Sequence, residues 1–494
     1  MAQYDIAVIG GGPAGLAIAE VAPRLGIRMA IIEAAQLGGD CTWSGCVPSK
    51  ALLAAGNARQ RGRTAERFGL PGFEERGAVD LGAVMDRIHD HQQGIFERAD
   101  APELLRERGI DVIEGRGVFE GPDRLVVDGK AIDARYFVVA TGASAAVPPI
   151  PGLKEAGYLT NESVWGLREL PARLLVVGAG AVGLELGQAF ARLGSAVTIV
   201  EAAPEVLPAL DDELAATLRG TLEADGIAIH TAAAVRAFED REDGPCAVVE
   251  MSSGETVELS YDQVLIATGR RPNVTGLGLE TAGVRFDPSA GIEVDGNLRT
   301  SNPRVYAAGD VIPGPQFTHT AAREGIAAMM SALLLMSRPI DARLVPIVTY
   351  TSPETASIGL TEAEARAQYD DVRVRRAPLL DSDRATVDQA PAGFVKVVTR
   401  GKQERIEGAQ IVAPAAGEVI HEFGLAMREG LGLRDLADLS HAYPTYAMSA
   451  QMAGIEAMRD WMDSGWVRRY SSFARGVPSE RLRGVLRRIL NRFG

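Results

Sequence analysis

Two cysteines five positions apart are the first residues here with a chemistry to offer. Cys41 and Cys46 lie in Gly38-Gly39-Asp40-Cys41-Thr42-Trp43-Ser44-Gly45-Cys46-Val47-Pro48-Ser49-Lys50, ahead of a helical stretch over 51–58. In an ideal helix, residues five apart have Cα atoms roughly 8 to 9 Å from each other, beyond the roughly 7 Å that a disulfide spans. A bridge therefore needs a distorted helix start, which Gly45 would ease. A helix N-terminus stabilises a thiolate, and a strained, exposed bridge is easily reduced. Two other readings of the pair stay open. A structural zinc site is disfavoured, because no histidine or second cysteine pair lies close by and Cys246 is far along the chain. Two unrelated buried thiols are the bland alternative.

Elements that could position such a pair stand on either side of it. An apolar strand at Tyr4 runs into Gly10-Gly-Gly12-Pro-Ala-Gly15, then a helix, then a strand over 27–32 ending at Glu33. In such a βαβ unit Gly10 permits the tight turn, Gly12 admits a pyrophosphate, Gly15 lets helix and strand pack, and Glu33 can bind ribose hydroxyls. The pattern returns at Gly178-Ala-Gly180-Ala-Val-Gly183 and a strand over 197–200 ending at Glu201, with each acid 23 positions after its first glycine (33 − 10 and 201 − 178). Each half closes on Ala-Thr-Gly, at Thr141-Gly142 and at Thr268-Gly269. One shared spacing argues for two nucleotide sites rather than two accidental turns. A carboxylate at Glu201 accepts from a ribose diol and repels a 2′-phosphate, so NADH is expected over NADPH; a solvated strand cap is its bland reading.

The whole chain fits that picture. A length of 494 residues implies two to four domains. A net charge of −14 removes the attraction on which nucleic-acid binding rests, so no nucleic-acid partner is expected. The first strand begins so near Met1 that no signal segment is expected, which points to the cytoplasm. The apolar run over 326–336 is shorter than the roughly 20 residues a spanning helix needs and reads as a buried helix. No metal ligand set is expected.

With these motifs assembled, residues 1–465 resemble the pyridine nucleotide-disulfide oxidoreductases, whose active-site signature is GGxCxxxGCxPSK; lipoamide dehydrogenase and mercuric reductase are its nearest-looking branches. The likeness extends to Thr300-Ser-Asn-Pro-Arg-Val-Tyr-Ala-Ala-Gly-Asp310, Thr318-His319-Thr-Ala-Ala-Arg-Glu-Gly325 and Thr351-Ser-Pro-Glu-Thr-Ala-Ser-Ile-Gly-Leu360. The resemblance implies an α/β fold of two Rossmann-like dinucleotide-binding domains plus a C-terminal α+β dimerisation domain. It implies FAD and NAD(H) as cofactors and a homodimer. It makes Cys46 the thiol beside the flavin and Cys41 the interchange thiol that meets an acceptor. Lys50, paired with Glu185, would sit by the flavin edge, and Asp310, Thr318 and His319 would also line the FAD. The boundaries expected are 1–155 for FAD and disulfide, 156–274 for NAD, 275–345 for a central return to FAD, 346–465 for the interface, and 466–494 for a tail.

Two regions leave the pattern. Lipoamide dehydrogenase and glutathione reductase carry a His-Pro-Thr segment with a glutamate five residues on; here Tyr443 and Met448 stand in those places. A phenol with an ordinary pKa near 10 is a poor base at neutral pH, so the usual dithiol acceptors are not expected. By the resemblance Tyr443 reaches the partner's cysteines. His441, two positions away, would share its face if the segment is extended, and its imidazole could then reach the same cysteines as a catalytic group in place of the missing acid-base pair; a merely structural histidine is the alternative. Trp43 either packs or shapes the approach to Cys41. The last 29 residues hold eight arginines and one acid, with an amphipathic helix expected from Pro478. That tail could lie on anionic lipid, on an acidic protein, or on the chain itself. The function expected is an NADH oxidoreductase delivering electrons through FAD and Cys41–Cys46 to a small-molecule or protein-bound acceptor. The rival expectations are a membrane-associated quinone or diaphorase-type reductase and a subunit docking a lipoyl-bearing carrier.

Overall fold

The computed structural model describes residues 3–72, 77–336, 339–390 and 392–476. It divides into two compact units, Met1–Thr355 and Ala356–Gly494.

Unit 1 contains two parallel sheets. The first has strands β1 (Tyr4–Ile9), β2 (Met29–Glu33), β3 (Asp111–Glu114) and β4 (Ala134–Val139). The second has β5 (Arg173–Val177), β6 (Ala196–Val200), β7 (Ala228–His230) and β8 (Gln263–Ile266). A later strand, β9 (Val305–Ala307), returns to the first sheet and completes the order β9-β4-β1-β2-β3; the second sheet runs β7-β6-β5-β8. Both sheets are covered on both faces, which is why their strands read as unbroken apolar runs such as Leu174-Leu175-Val176-Val177.

The helices that place the site start at the strand ends. Helix α1 (Pro13–Val21) follows β1. After β2 come α2 (Gly39–Trp43), α3 (Cys46–Arg63) and α4 (Leu81–Ile95). In the second half α5 (Ala181–Leu193) follows β5, and the central segment contributes α6 (Thr318–Leu334), which packs on α1. The 326–336 run falls largely in α6, where Ala327, Ala328, Met329 and Ala332 are buried, although Leu335 beyond its end is exposed. Among the described residues no helix is long and apolar enough to cross a membrane.

Unit 2 is built on strands Glu354–Gly359, Arg405–Ala413, Phe394–Arg400 and Val372–Pro378, in that spatial order, the last three antiparallel. Helices α7 (Ala416–Glu429), α8 (Met448–Met462) and α9 (Gly465–Gly476) accompany them. The helix expected from Pro478 onward lies outside the described residues.

Candidate active site

The cysteine pair sits where the chain breaks one helix and begins another. Cys41 lies in α2, Cys46 is the first residue of α3, and Gly45 between them has φ −115° and ψ −105°. The Gly45 N–H donates to Asp40 O at 2.5 Å, and a Cβ on Gly45 would stand only 3.0 Å from that oxygen. The distortion anticipated between the cysteines is thus a full helix break that a side chain at 45 would obstruct.

Both cysteines are free thiols, and they share a hydrogen bond. The Cys41 S–H donates to Cys46, Thr318 Oγ1 lies 3.2 Å from Cys46 Sγ, and the Lys50 ammonium adds its charge. Together these hold the Cys46 thiol below the ordinary thiol range against the cost of burial. Cys41 is pushed up, first by that hydrogen bond with Cys46 and then by burial. Both shifts favour the thiolate at Cys46 over Cys41.

Lys50 lies one helical turn after Cys46 and reaches across to the second half. Its Nζ is 2.8 Å from Glu185 Oε2 on α5, and it lies 4.4 Å from the centre of the Tyr350 ring. Glu185 is only 4% exposed, and its other oxygen accepts from the Tyr350 N–H at 2.8 Å. This carboxylate is therefore fully engaged, and it fixes the cation beside Cys46. Cys46, Val47, Lys50 and Ala51 share a cavity of about 440 Å³ with Asp90, His91, Gly94, Ile95 and Arg98 of the α4 region.

The two nucleotide seats repeat each other. Gly10 has φ 116° and Gly178 has φ 108°; a Cβ would stand 2.1 Å from Ala140 O at the first and 2.4 Å from Ala267 O at the second. At Gly15 and Gly183 a Cβ would strike the Gly10 and Gly178 carbonyls at 2.1 and 2.0 Å. Glu33 accepts from the Gly11 and Ala35 N–H groups at 2.6 and 2.7 Å; Glu201 accepts from Ala179 and Ala203 at the same two distances. Gly12 and Gly180 precede α1 and α5 without a side-chain cap, which leaves helix N-terminal amides for an anion. A cavity of about 490 Å³ bordered by Gly10, Glu33, Arg116 and Thr141 continues from the first seat. These features fit FAD on the first half and a nicotinamide dinucleotide on the second.

Other expected cofactor residues gather around the first half. Thr141 Oγ1 donates to Asn273 O at 2.8 Å, and the Asn273 N–H donates to Gly142 O at 2.9 Å. Gly269 O accepts from the Ala146 N–H, tying the two Ala-Thr-Gly closures together. Burial raises the Asp310 carboxyl, and His319 is exposed with Nε2 3.1 Å from Pro346 O.

Sequence reasoning missed Arg270. It pairs with Asp40 at 2.5 Å and with Asp310 at 3.4 Å, and its Nε is buried without a hydrogen-bond partner among the described residues. This guanidinium joins the cysteine loop, the second nucleotide half and Asp310, with a donor left for a ligand. The available signal was an acid inside the cysteine motif and an arginine directly after Ala-Thr-Gly269. Trp43 resolves as packing: its indole N–H donates to Leu37 O at 2.8 Å, and its ring lies 5.3 Å from Phe96.

Within unit 2, Tyr443 and His441 part company. Tyr443 is 69% exposed and donates to Asp383 Oδ2 at 2.9 Å, which pushes its hydroxyl above the ordinary phenol range. The His441 side chain is only 5% exposed; Nε2 lies 2.9 Å from Glu422 Oε1 and Nδ1 lies 3.0 Å from Leu439 O. The segment is not a strand, so the two-residue spacing does not put both rings on one face. Met448 begins α8.

Residues 4–325 match the pyridine nucleotide-disulphide oxidoreductase family, and residues 345–453 match that family's dimerisation domain. The chain belongs to this family of FAD- and NAD(P)H-using flavoproteins, and the dimerisation domain supports a homodimer. It is 39% identical to a dihydrolipoyl dehydrogenase of Thermus scotoductus, over 90% of this chain and 95% of the relative. It is 36% identical to a mercuric reductase of Staphylococcus aureus, over 93% of this chain and 83% of that one. Among solved structures it resembles LpdA from Mycobacterium tuberculosis, with a TM-score of 0.82, 29% identity and coverage of 91% and 99%. It also resembles the Cu(II) complex of the HOCl-induced flavoprotein disulfide reductase RclA from Escherichia coli, with a TM-score of 0.79, 28% identity and coverage of 90% and 98%. The protein is a flavoprotein disulfide oxidoreductase of the lipoamide dehydrogenase and mercuric reductase type.

Proposed function

We propose that this enzyme takes electrons from NADH and delivers them through Cys41 and Cys46 to an acceptor other than lipoamide or glutathione. FAD, when bound, supplies the two-electron relay between the nicotinamide and the thiols. The observation that carries the reading is the placement of the pair at a helix break, with Cys46 opening α3, Thr318 Oγ1 3.2 Å from its Sγ, and Lys50 one turn on and held by Glu185 at 2.8 Å. NADH is favoured because Glu201 presents a carboxylate at the ribose end of the seat, while nearby Arg219 is engaged with Glu205 and Glu223. The acceptor reading rests on Tyr443: its hydroxyl donates to Asp383 and is a still poorer base than a free phenol. Chemistry that needs little proton transfer, such as reduction of a soft metal ion or an activated disulfide, suits such a site.

Anaerobic titration tests this directly. Uptake of four electrons per flavin, with long-wavelength thiolate-to-flavin absorbance at the halfway point, is expected; uptake of two without that absorbance overturns the reading. Cys41→Ser then separates it from a quinone reductase, whose turnover would survive the change.

One observation favours association with an anionic membrane surface as an added property. On α9, Trp466 is 64% exposed, Tyr470 38% and Phe473 59%, beside Arg468, Arg469 and Arg475. An aromatic stripe flanked by arginines suits a lipid headgroup layer. Equal sedimentation with anionic liposomes by full-length protein and by a chain ending at 465 would exclude it.

A further inference from the structure

The redox helix α2 is held from one side by a single stripe of side chains. Gln92 Nε2, on α4, donates to Thr42 O at 3.1 Å and to Trp43 O at 2.7 Å. Four residues on, Phe96 meets the Trp43 ring; four further, Asp100 Oδ2 accepts from Thr42 Oγ1 at 3.2 Å. An α-helical continuation would drift the stripe by about 40° for each four-residue step. Residues Phe96–Asp100 instead form a π-helical turn, closed by Ala101 N–H to Phe96 O at 2.9 Å. The wider turn drifts the other way and brings Asp100 back over α2.

Asp100 then sits inside the loop that carries Cys41. A Cβ on Gly38 would lie 3.0 Å from its Oδ2 and 2.9 Å from the Thr42 side chain, so the bare glycine is what lets the carboxylate close on the loop. Burial raises this carboxyl, and the Thr42 hydroxyl opposes the rise. Its charge adds to the rise of Cys41, behind Cys46 and burial, while at Cys46 the Lys50 charge lowers and the Glu185 charge raises the thiol. Of the other charges facing the pair, Asp40 is committed to Arg270 and Lys50 to Glu185, while Asp90, His91 and Arg98 line the cavity on the Cys46 side.

We propose that Asp100 is a positioning residue for the thiol pair: seated on α2 through Thr42 and over Gly38, its carboxylate sets a negative charge at the Cys41 end of the pair and disfavours a second one there. Lys50 lies at the Cys46 end of the same pair, one helical turn after that residue. The inference rests on the thiol-relay reading above, and it deepens that reading by making Cys41 unreactive until an acceptor arrives.

The test uses the full-length, FAD-loaded enzyme reduced with dithiothreitol, with iodoacetamide alkylation of Cys41 followed by peptide mass spectrometry between pH 6 and 8. Asp100→Asn keeps an acceptor for the Thr42 hydroxyl and removes the charge. Its Cys41 should alkylate roughly two- to threefold faster at pH 7, with the profile moved to lower pH. The thiolate-to-flavin absorbance at pH 8 should fall, and Asp100→Glu should keep the wild-type profile. An Asp100→Asn profile that superimposes on wild type overturns the proposal, as does an Asp100→Glu profile displaced equally far. Should Asp100→Asn not hold FAD, Thr42→Val must move the profile in the same direction, and an unmoved profile is equally fatal. Absence of the long-wavelength absorbance in wild type would overturn the thiol-relay reading alone, because the alkylation profiles still decide on Asp100.

Discussion

The two nucleotide-binding halves of unit 1 use the same turn, the same glycine contacts and the same glutamate hydrogen bonds, yet they are finished differently. In front of Gly180 no atom of the described residues lies within 4 Å of a built Cβ, so that seat is open among them. In front of Gly12 stands Gly39, and a Cβ on Gly39 would come within 2.7 Å of the Gly12 Cα. The loop that carries the cysteines therefore roofs the first seat. The central segment adds β9 to the first sheet, and α6 lies so close to α1 that a Cβ on Gly325 would meet Ala14 O at 2.3 Å. One shared motif is thus built twice, once closed over by neighbouring segments and once left open. The loop that closes over the first seat is also the one that carries Cys41 and Cys46.

The sharpest way to break this comparison is to damage both turns equally. Gly10→Ala and Gly178→Ala each force a side chain against a carbonyl at a positive φ, a cost on the order of 3 kcal/mol or more. Gly10→Ala should yield protein with little bound flavin and a Tm lowered by many degrees. Gly178→Ala should keep near-stoichiometric flavin and lose reduction by NADH. Flavin-to-protein absorbance ratios check both, and equal flavin loss in the two variants would show that the halves are not divided between retention and exchange.

The α6 closure has its own signature. Glu324 is buried on α6, accepts from the Gly309 N–H at 2.8 Å, and is pushed up to about 7 by burial, with Asp310 adding to the rise. Its folded pKa exceeds its unfolded value, so the folded state binds the extra proton between roughly pH 4.5 and 7, and stability falls as pH rises through that window. Glu324→Gln should remove this slope. The flavin-free protein should gain about 1 to 3 kcal/mol at pH 8 relative to wild type and nothing at pH 4.5. Thermal unfolding at the two pH values decides it, and a slope that persists in the variant assigns the pH dependence to other groups.

What could be read from the sequence follows from what backbone geometry demands. Positions 10, 15, 178 and 183 admit only glycine, because carbonyls occupy the space of a Cβ, so their spacing carries the fold openly. The parallel sheets declared themselves through strands buried on both faces. Arg270 stayed hidden because its partners, Asp40 and Asp310, come from segments remote in sequence, and no periodicity connects them. Asp100 stayed hidden because an α-helical continuation would aim it elsewhere. His441 was misdirected by a period-two rule that holds only in a regular strand, whereas its partner Glu422 lies on α7.

The smallest expected effect lies at the open seat. Glu201 and Glu33 make matching hydrogen bonds, so their difference must come from the enclosure around them and not from the carboxylates. Glu201→Gln retains an oxygen for the Ala179 N–H, loses the charge, and leaves the helix start of α5 unchanged. The lost charge-assisted bonds to a ribose diol are worth roughly 1.5 kcal/mol, which is about a tenfold rise in the KM for NADH with kcat held. The KM for NADPH should rise less or fall, because repulsion of a 2′-phosphate is relieved. Glu33→Gln makes the same chemical change on the roofed side. There the cysteine loop and α6 still enclose the flavin, so its occupancy should stay near one per chain at micromolar protein. Steady-state kinetics with both nucleotides, beside flavin retention after gel filtration, measure the pair; flavin loss from Glu33→Gln larger than the NADH effect of Glu201→Gln would mean that the carboxylate, not the roof, retains the cofactor.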